Sequence, residues 1–406
     1  MSSEFNVDFL KDPLAWILSP VLKSDFLEHY AQQGFLHIPA TAGKDLTQIF
    51  HWESLSRMLN QYPESSTIRL FAEKLNYYYP KNSENLVKIS EQMRQGHTLI
   101  LENVQRFDAD LAALCDAMSQ TIAANTAFNL YLSQPGYKGY PIHYDTHDFF
   151  IFQISGRKHW KLYPCTQSFV VSHPDHLDPS STAPDESTLL AELTLDPGDI
   201  LYLPRGFWHQ ALAVDQPSLH LTMGLYLQTG LDYLHWLVQQ AKDHTELRQG
   251  FPWVPRETYP ESLLETSPYE AHHASLMQYL QQWIQAPGHL HRFHQDSFAN
   301  FQRHQAFALP GQFIKTVQEL SAFEDFEVRQ VPHYLLQIDA YTLELVYPKT
   351  KLSFSLSAHD LLKRILEQTQ FSLCELNALF PDFSQQDILS VVLPLVQDGI
   401  VLPHGT

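Results

Sequence analysis

Three side chains in this sequence have the types and the spacing to hold a redox metal. His143 and Asp145 form a His-x-Asp pair just before the strand-like run Phe149-Phe150-Ile151-Phe152-Gln153-Ile154. His209 closes the stretch that begins at Pro197-Gly198-Asp199. Two imidazoles and one carboxylate on one face of a metal leave its other positions open for a cosubstrate and O2, the ligand set of non-haem iron(II) oxygenases. His-x-Asp alone carries little weight, because the chain also contains His173-Asp175, His176-Asp178 and His294-Asp296. Context separates them: two lie in a Ser/Pro/Asp-rich loop and one in a helical region. Only His143 and Asp145 have a β context, where residues i and i+2 point to the same side.

The elements around these residues must bring His209 back to His143. Residues 127 to 226 read as strands of five to eight residues between Gly and Pro turns, the texture of a sandwich or barrel. A Pro-Gly-Asp turn, a short strand, the turn Pro204-Arg205-Gly206 and a return strand carry the chain to His209. In Gly156 to Tyr163, Lys158, Trp160 and Leu162 share a strand face, with Arg157 and Lys161 on the other. A lysine on an apolar face needs a buried anion, which the distal carboxylate of 2-oxoglutarate would supply; the alternative is a solvated strand end beside Arg157 and Lys161. Asn129, Tyr131 and Ser133 share a face of the strand Phe128 to Ser133, either lining a cosubstrate pocket or facing solvent. His220 and Thr222 share a face with Gly224, where His220 is either a support for the metal site or a satisfied core histidine.

At 406 residues the chain is long enough for two or three domains. Residues 1 to 230 read as the catalytic domain with N-terminal helices, 231 to 310 as a helical domain and 311 to 406 as a third unit. The apolar positions Leu231, Leu234, Trp236, Leu237, Leu276, Tyr279 and Leu280 predict a homodimer contact in the helical domain. Helices over Ala358 to Glu367 and Ser384 to Gln397, with a wing-like ending at Asp398 to Leu402, predict a winged helix in the third unit. From 351 onward three basic residues stand against six acidic ones, so direct DNA binding is not expected and protein contact is. The formal charge of −19 points the same way and favours a basic protein or peptide partner. Cys115, Cys165 and Cys374 show neither disulfide nor zinc spacing, which suits a reducing cytoplasm. Met1 to Leu10 holds no apolar signal-like region, and no apolar run approaches the ~18 residues of a membrane span.

Taken together, the motifs resemble those of the JmjC ribosomal oxygenases, cupin-like hydroxylases of ribosomal proteins. The matching stretches are Asn129 to Leu132, His143 to Asp148, Gln153 to Trp160, Pro197 to Ala211 and Ser218 to Thr222. The resemblance implies a mixed α and β chain: a jelly-roll (double-stranded β-helix) JmjC barrel, a helical dimerisation domain and a C-terminal winged-helix domain. It implies Fe(II) bound by His143, Asp145 and His209, with 2-oxoglutarate and O2 as cosubstrates. It implies 2-oxoglutarate contacts from Lys158, Asn129, Tyr131 and Thr222, and hydroxylation of an arginine or histidine side chain of a ribosomal protein. Gly224 stands where some members carry serine, and the loop Gly136 to Ile142 also departs. Hydroxylation of another peptide, such as a natural-product precursor, demethylation of methyl-lysine, and a non-catalytic metal-binding cupin remain alternatives.

Overall fold

The computed structural model describes residues 10–32, 34–41, 44–61, 68–72, 76–78, 85–137, 141–172, 183–251, 268–301, 311–328, 334–338, 342–347 and 349–404. The chain is mixed α/β with antiparallel sheets, and by spatial contact it divides into two compact units. One comprises residues 1–227 and 301–406, the other 228–300. His173, Asp175, His176 and Asp178 lie outside the described residues, as does 138–140 of the loop before the His-x-Asp pair.

The N-terminal part carries helices α1 (Pro13–Leu18), α2 (Lys23–Ala31), α3 (Trp52–Gln61), α4 (Asn85–Arg94) and α5 (Ala109–Ile122). The side chain of Asp108 caps α5 by accepting from the N–H groups of Asp110 and Leu111. Strands β1 (Leu36–Ile38), β2 (Ile68–Ala72), β3 (Asn76–Tyr78), β4 (Thr98–Leu101), β5 (Asn125–Ser133), β6 (Asp148–Ser155), β7 (Lys158–Tyr163), β8 (Ala191–Leu195), β9 (Ile200–Leu203), β10 (Trp208–Ala213) and β11 (Ser218–Tyr226) build two sheets. The larger has the order β1-β9-β6-β11-β5-β4-β2-β3 and the smaller β10-β7-β8. This is a jelly-roll arrangement, closed by the N-terminal helices on its outer side. Phe128, Leu130, Phe150, Phe152, Leu221 and Met223 pack with α1, α2 and α5 residues into one large apolar core. A second cluster, including Phe149, Ile151, Trp160, Leu162, Leu201 and Leu203, joins the two sheets. Strand β5 alternates half-buried and buried residues up to Leu132, as a strand with one apolar face must. Strand β6 is buried from Asp148 to Ile154, which accounts for its unbroken aromatic and aliphatic run.

Residues 228–300 hold α6 (Gly230–Ala241), α7 (Thr245–Arg248), α8 (Pro268–Ile284) and α9 (His289–Asn300). Leu237 is buried and Trp236 and Tyr279 are half-buried, whereas Leu231 and Leu234 are exposed. The expected apolar face is thus two faces. One closes the unit, where Tyr233 and Trp236 stack and both meet Phe293. The other, at Leu231, Leu234 and Val238, is uncovered in the single chain.

The C-terminal part begins with α10 (Val317–Leu320) and β12 (Asp325–Val328). Strands β13 (Leu335–Ile338), β14 (Thr342–Tyr347) and β15 (Thr350–Ser355) form an antiparallel meander, followed by α11 (His359–Leu366), β16 (Gln370–Ser372), α12 (Leu373–Leu379), α13 (Gln385–Gln397) and β17 (Val401–Pro403). The wing-like ending is a strand, β17, paired with β12, which also pairs with β16. Among the described residues no helix is long and apolar enough to cross a membrane.

Candidate active site

The two halves of the metal site come from segments that the backbone ties together. His143 and His209 face each other in an isolated antiparallel bridge: the His143 N–H donates to the His209 carbonyl at 3.2 Å, and the His209 N–H returns to the His143 carbonyl at 2.8 Å. One turn earlier the Gly206 N–H donates to the Asp145 carbonyl at 2.9 Å. The Arg205 N–H donates to the buried carboxylate of Asp148 at 2.9 Å. Gly206 has φ +87° and a Cβ there would lie 3.1 Å from the Gln167 carbonyl oxygen, so this turn requires glycine. Three backbone–backbone bonds and one backbone-to-carboxylate bond therefore fix the Pro204 to His209 turn against His143 to Asp148. Asp148 was not singled out from sequence. Its signal was an acid opening a strand that is otherwise apolar, a position that demands a partner. Burial raises the Asp148 carboxyl above its usual range, against the hydrogen bond from Arg205 and the Arg205 charge.

The imidazoles are oriented by their other nitrogens. Nδ1 of His143 lies 2.9 Å from the Pro141 carbonyl and Nδ1 of His209 lies 3.0 Å from the Phe207 carbonyl. With Nδ1 donating, each Nε2 keeps its lone pair for a metal. Nε2 of His209 is 3.8 Å from Oδ2 of Asp145. One donor atom from each of His143, Asp145 and His209 lies within 4.8 Å of the others. Burial, and then the neighbouring His143, lower the pKa of His209 to about 4, so this ligand is neutral and ready for a cation near pH 7. The donor set fits Fe(II).

The pocket beside the triad lies between the sheets and is lined by Thr98, Tyr131, Ser133 and Thr222 from one side and Lys158, Trp160 and Ala211 from the other, with Phe149 and His220. Lys158 is only 4% exposed. Its Nζ donates to Ser133 Oγ at 3.1 Å and lies 3.3 Å from Nδ1 of His220. No carboxylate pairs with it among the described residues. Arg157, by contrast, is outward and bound to Asp215 at 2.7 Å, and Lys161 lies 3.5 Å from Glu192. Burial lowers the Lys158 pKa to about 7. The indole N–H of Trp160 is also buried and without an acceptor. A buried amine with no counter-ion and an orphaned N–H in one pocket fit an anionic ligand with carboxylate oxygens, as 2-oxoglutarate is.

Tyr131 lies flat on His220, ring centroids 4.9 Å apart at 4°. Thr222 faces the pocket. Asn129 lies on the same strand face but its Oδ1 accepts from the Asn103 N–H at 3.1 Å. That bond holds a left-handed residue, φ 55°, at the start of a short turn. His220 is pushed well below the usual imidazole range by burial and then by Lys158, and its side chain lines the pocket. His294 and Asp296 lie on α9, where i and i+2 diverge. Asp296 instead accepts from the Trp236 indole at 2.8 Å.

Residues 100–233 match the JmjC domain family. A bifunctional lysine-specific demethylase and histidyl-hydroxylase NO66 of Culex quinquefasciatus is 43% identical over 135 residues, covering 31% of this chain and 20% of that protein. Ribosomal oxygenase 1 of Gallus gallus is 33% identical over 167 residues, covering 39% of this chain and 28% of its own. The chain thus spans well under half the length of these curated relatives. The X-ray structure of Escherichia coli YcfD superposes with a TM-score of 0.60 at 18% identity, covering 94% of this chain and 98% of that one. The same ribosomal oxygenase has been solved with cobalt and 2-oxoglutarate, with a TM-score of 0.59, 16% identity and coverage of 95% and 99%. Residues 100–233 of this chain are a JmjC domain, related in sequence to those of the ribosomal oxygenases.

Proposed function

We propose that the chain is an Fe(II)- and 2-oxoglutarate-dependent oxygenase that hydroxylates an arginine or histidine side chain of a ribosomal protein. The observation that carries this reading is the coincidence in one pocket of the His143, Asp145 and His209 donors with the buried, counter-ion-free Lys158. When bound, iron and 2-oxoglutarate with O2 supply the oxidant for a C–H bond, with succinate and CO2 as the other products. The chain's residues position and enclose. His143, Asp145 and His209 would hold the metal on one face, and their locked rings and backbone bridge fix that face in advance. Lys158 would anchor the distal carboxylate, helped by Thr222 and Tyr131, with Asn129 acting on the pocket from the neighbouring strand position. Phe149 and Trp160 keep water from the buried end.

The acidic chain suits a basic substrate segment. The named relatives on both sides of the similarity, a ribosomal oxygenase and a histidyl-hydroxylase, support a ribosomal protein substrate. Demethylation of methyl-lysine is the second reading, because the relative's name carries both activities. The same proposal includes a two-fold dimer formed mainly by residues 231–310 and a winged-helix-like protein-contact module over 311–406. Succinate release from 2-oxoglutarate by the iron-loaded protein tests the oxygenase class. Mass spectrometry of ribosomal proteins from cells with and without the gene tests the substrate, the expected result being one added oxygen on an arginine or histidine. A lost methyl group on lysine would select the second reading, and no 2-oxoglutarate consumption with any protein would overturn both.

A further inference from the structure

The inner face of β11 changes character toward the solvent end. In order along it stand His220, Thr222, Gly224 and Tyr226, and the first two line the pocket. Gly224 does not have a positive φ, so its backbone would accept any residue; what glycine provides there is space. A Cβ on Gly224 would lie 2.9 Å from Cδ2 and 3.0 Å from Nε2 of His147. The His147 imidazole fills that space and stacks on Tyr226, ring centroids 4.7 Å apart at 24°. On its other side it approaches Phe149, a pocket residue, at 6.1 Å. Tyr226 is 44% exposed and His147 is half-exposed. The partners of Gly224 on the adjacent strands are Ala127 and Phe149, so His147 rests on a low floor beside the pocket. His147 follows Asp145 by two residues in the chain.

We infer that His147, seated over Gly224 and stacked on Tyr226, is a substrate-positioning residue whose ring pair forms the aromatic wall for a planar, basic side chain at the metal. The inference rests on the oxygenase reading and narrows it to substrates with a flat charged or polar group. A guanidinium or imidazole lies parallel to such rings at contact distance, whereas a lysine ammonium is a compact, strongly hydrated charge with no plane to match. The wall is built from a glycine that is small without conformational need and a histidine that no hydrogen bond among the described residues fixes, so stacking alone holds it.

The test uses the full chain loaded with cobalt(II) and 2-oxoglutarate under argon, and fluorescein-labelled basic peptides identical except for a central Arg, His or Lys. His147→Ala should weaken binding of the Arg and His peptides by about three- to tenfold, the size of one lost aromatic stack, and leave the Lys peptide unchanged. His147→Phe should restore most of the loss. Gly224→Ala should displace the imidazole and reproduce His147→Ala. Turnover with iron should show the change in KM with kcat nearly constant, and metal binding and peptide-free 2-oxoglutarate consumption should equal those of the wild type. Equal binding of all three peptides by the wild type and His147→Ala, or an equal loss for all three, would overturn the inference. Failure of the oxygenase reading is distinguishable, because it appears as absent 2-oxoglutarate consumption in the wild type while the binding comparison still reads out.

Discussion

The barrel and the 228–300 helices break the same rule in opposite directions. The barrel buries what should be wet: Lys158, His209, His220 and Asp148 are all nearly inaccessible. The helical unit exposes what should be dry: Leu231, Leu234 and Val238 are 49%, 54% and 60% exposed and lie at i, i+3 and i+7 on one stripe of α6. Met277 and Ile284 repeat this a heptad apart on α8. Burying an ionisable group costs stability unless a partner answers it, and leaving a hydrocarbon stripe in water forgoes a gain. Asp148 is answered within the chain by the Arg205 N–H; for Lys158 and for the α6 stripe the proposed answers come from outside it. A buried amine facing an open pocket points to a small anion, and an exposed apolar stripe points to a protein surface.

The largest effect expected is at the triad. Asp145→Ala or His143→Ala should abolish tight metal binding and all 2-oxoglutarate turnover, because two remaining ligands hold a divalent ion poorly. Metal titration calorimetry reads this directly, with circular dichroism to show that the barrel persists. Full turnover in either variant would remove the assignment.

Next in size is Lys158→Ala. It should raise the 2-oxoglutarate concentration needed for half-maximal rate by about a hundredfold, the scale of a lost charge-assisted bond in a dry site, and leave metal affinity intact. An unchanged requirement would move the carboxylate anchor away from Lys158 and end the parallel between buried charge and ligand.

The helical side of the comparison is tested by Leu234→Glu with Val238→Glu. If the stripe is a two-fold contact, light scattering should give twice the chain mass for the wild type and a monomer for the double variant. Leu237→Ala is the internal contrast: it should lower Tm, by about 2–5 kcal/mol of lost packing, without changing the assembly state of what remains folded. A monomeric wild type at micromolar concentration would overturn the dimer.

How legible these features were differs by kind. His143, Asp145 and His209 could be picked out because metal chemistry restricts residue type and β spacing restricts direction, and the structure brings all three within one ligand distance. Lys158 was legible by contrast with Arg157 and Lys161, since alternation on a strand assigns the sides. Periodicity and turn spacing made a sandwich or barrel and its flanking helices legible, while the jelly-roll itself came from the family resemblance. Asn129 shows where alternation stops informing: its face was readable, but its bond to Asn103 depends on a left-handed residue some distance back in the chain. The same holds for Leu237 against Leu234. Helical periodicity names the apolar positions, but which of two stripes closes the unit is set by α9, through Phe293 and His289. At Asp148 the acid opening an apolar strand signals that a partner is needed, but not which one, because that partner is a backbone N–H, which every residue but proline carries.

The smallest effect is also the most specific to the buried amine, because two measurements must move together with pH. Burial lowers the Lys158 pKa from 10.5 to about 7. Below pH 7 both the folded and the unfolded chain hold this proton, and the folded protein bears the full cost of an enclosed ammonium. Between about pH 7 and 10.5 the unfolded chain keeps the proton that the folded one has lost, so this group's contribution makes the ligand-free protein more stable as pH rises. Lys158→Met removes that dependence: its Tm advantage over wild type should be greatest at and below about pH 7 and shrink toward pH 9. An anion in the pocket reverses the demand, since it needs the amine charged. Affinity of the metal-loaded wild type for 2-oxoglutarate should therefore be flat below pH 7 and fall above it by up to about tenfold per pH unit, with proton uptake on binding. Calorimetry in two buffers of different ionisation heat measures that uptake. Affinity independent of pH from 6 to 9, with no proton taken up, would show that the carboxylate is not held by this lysine.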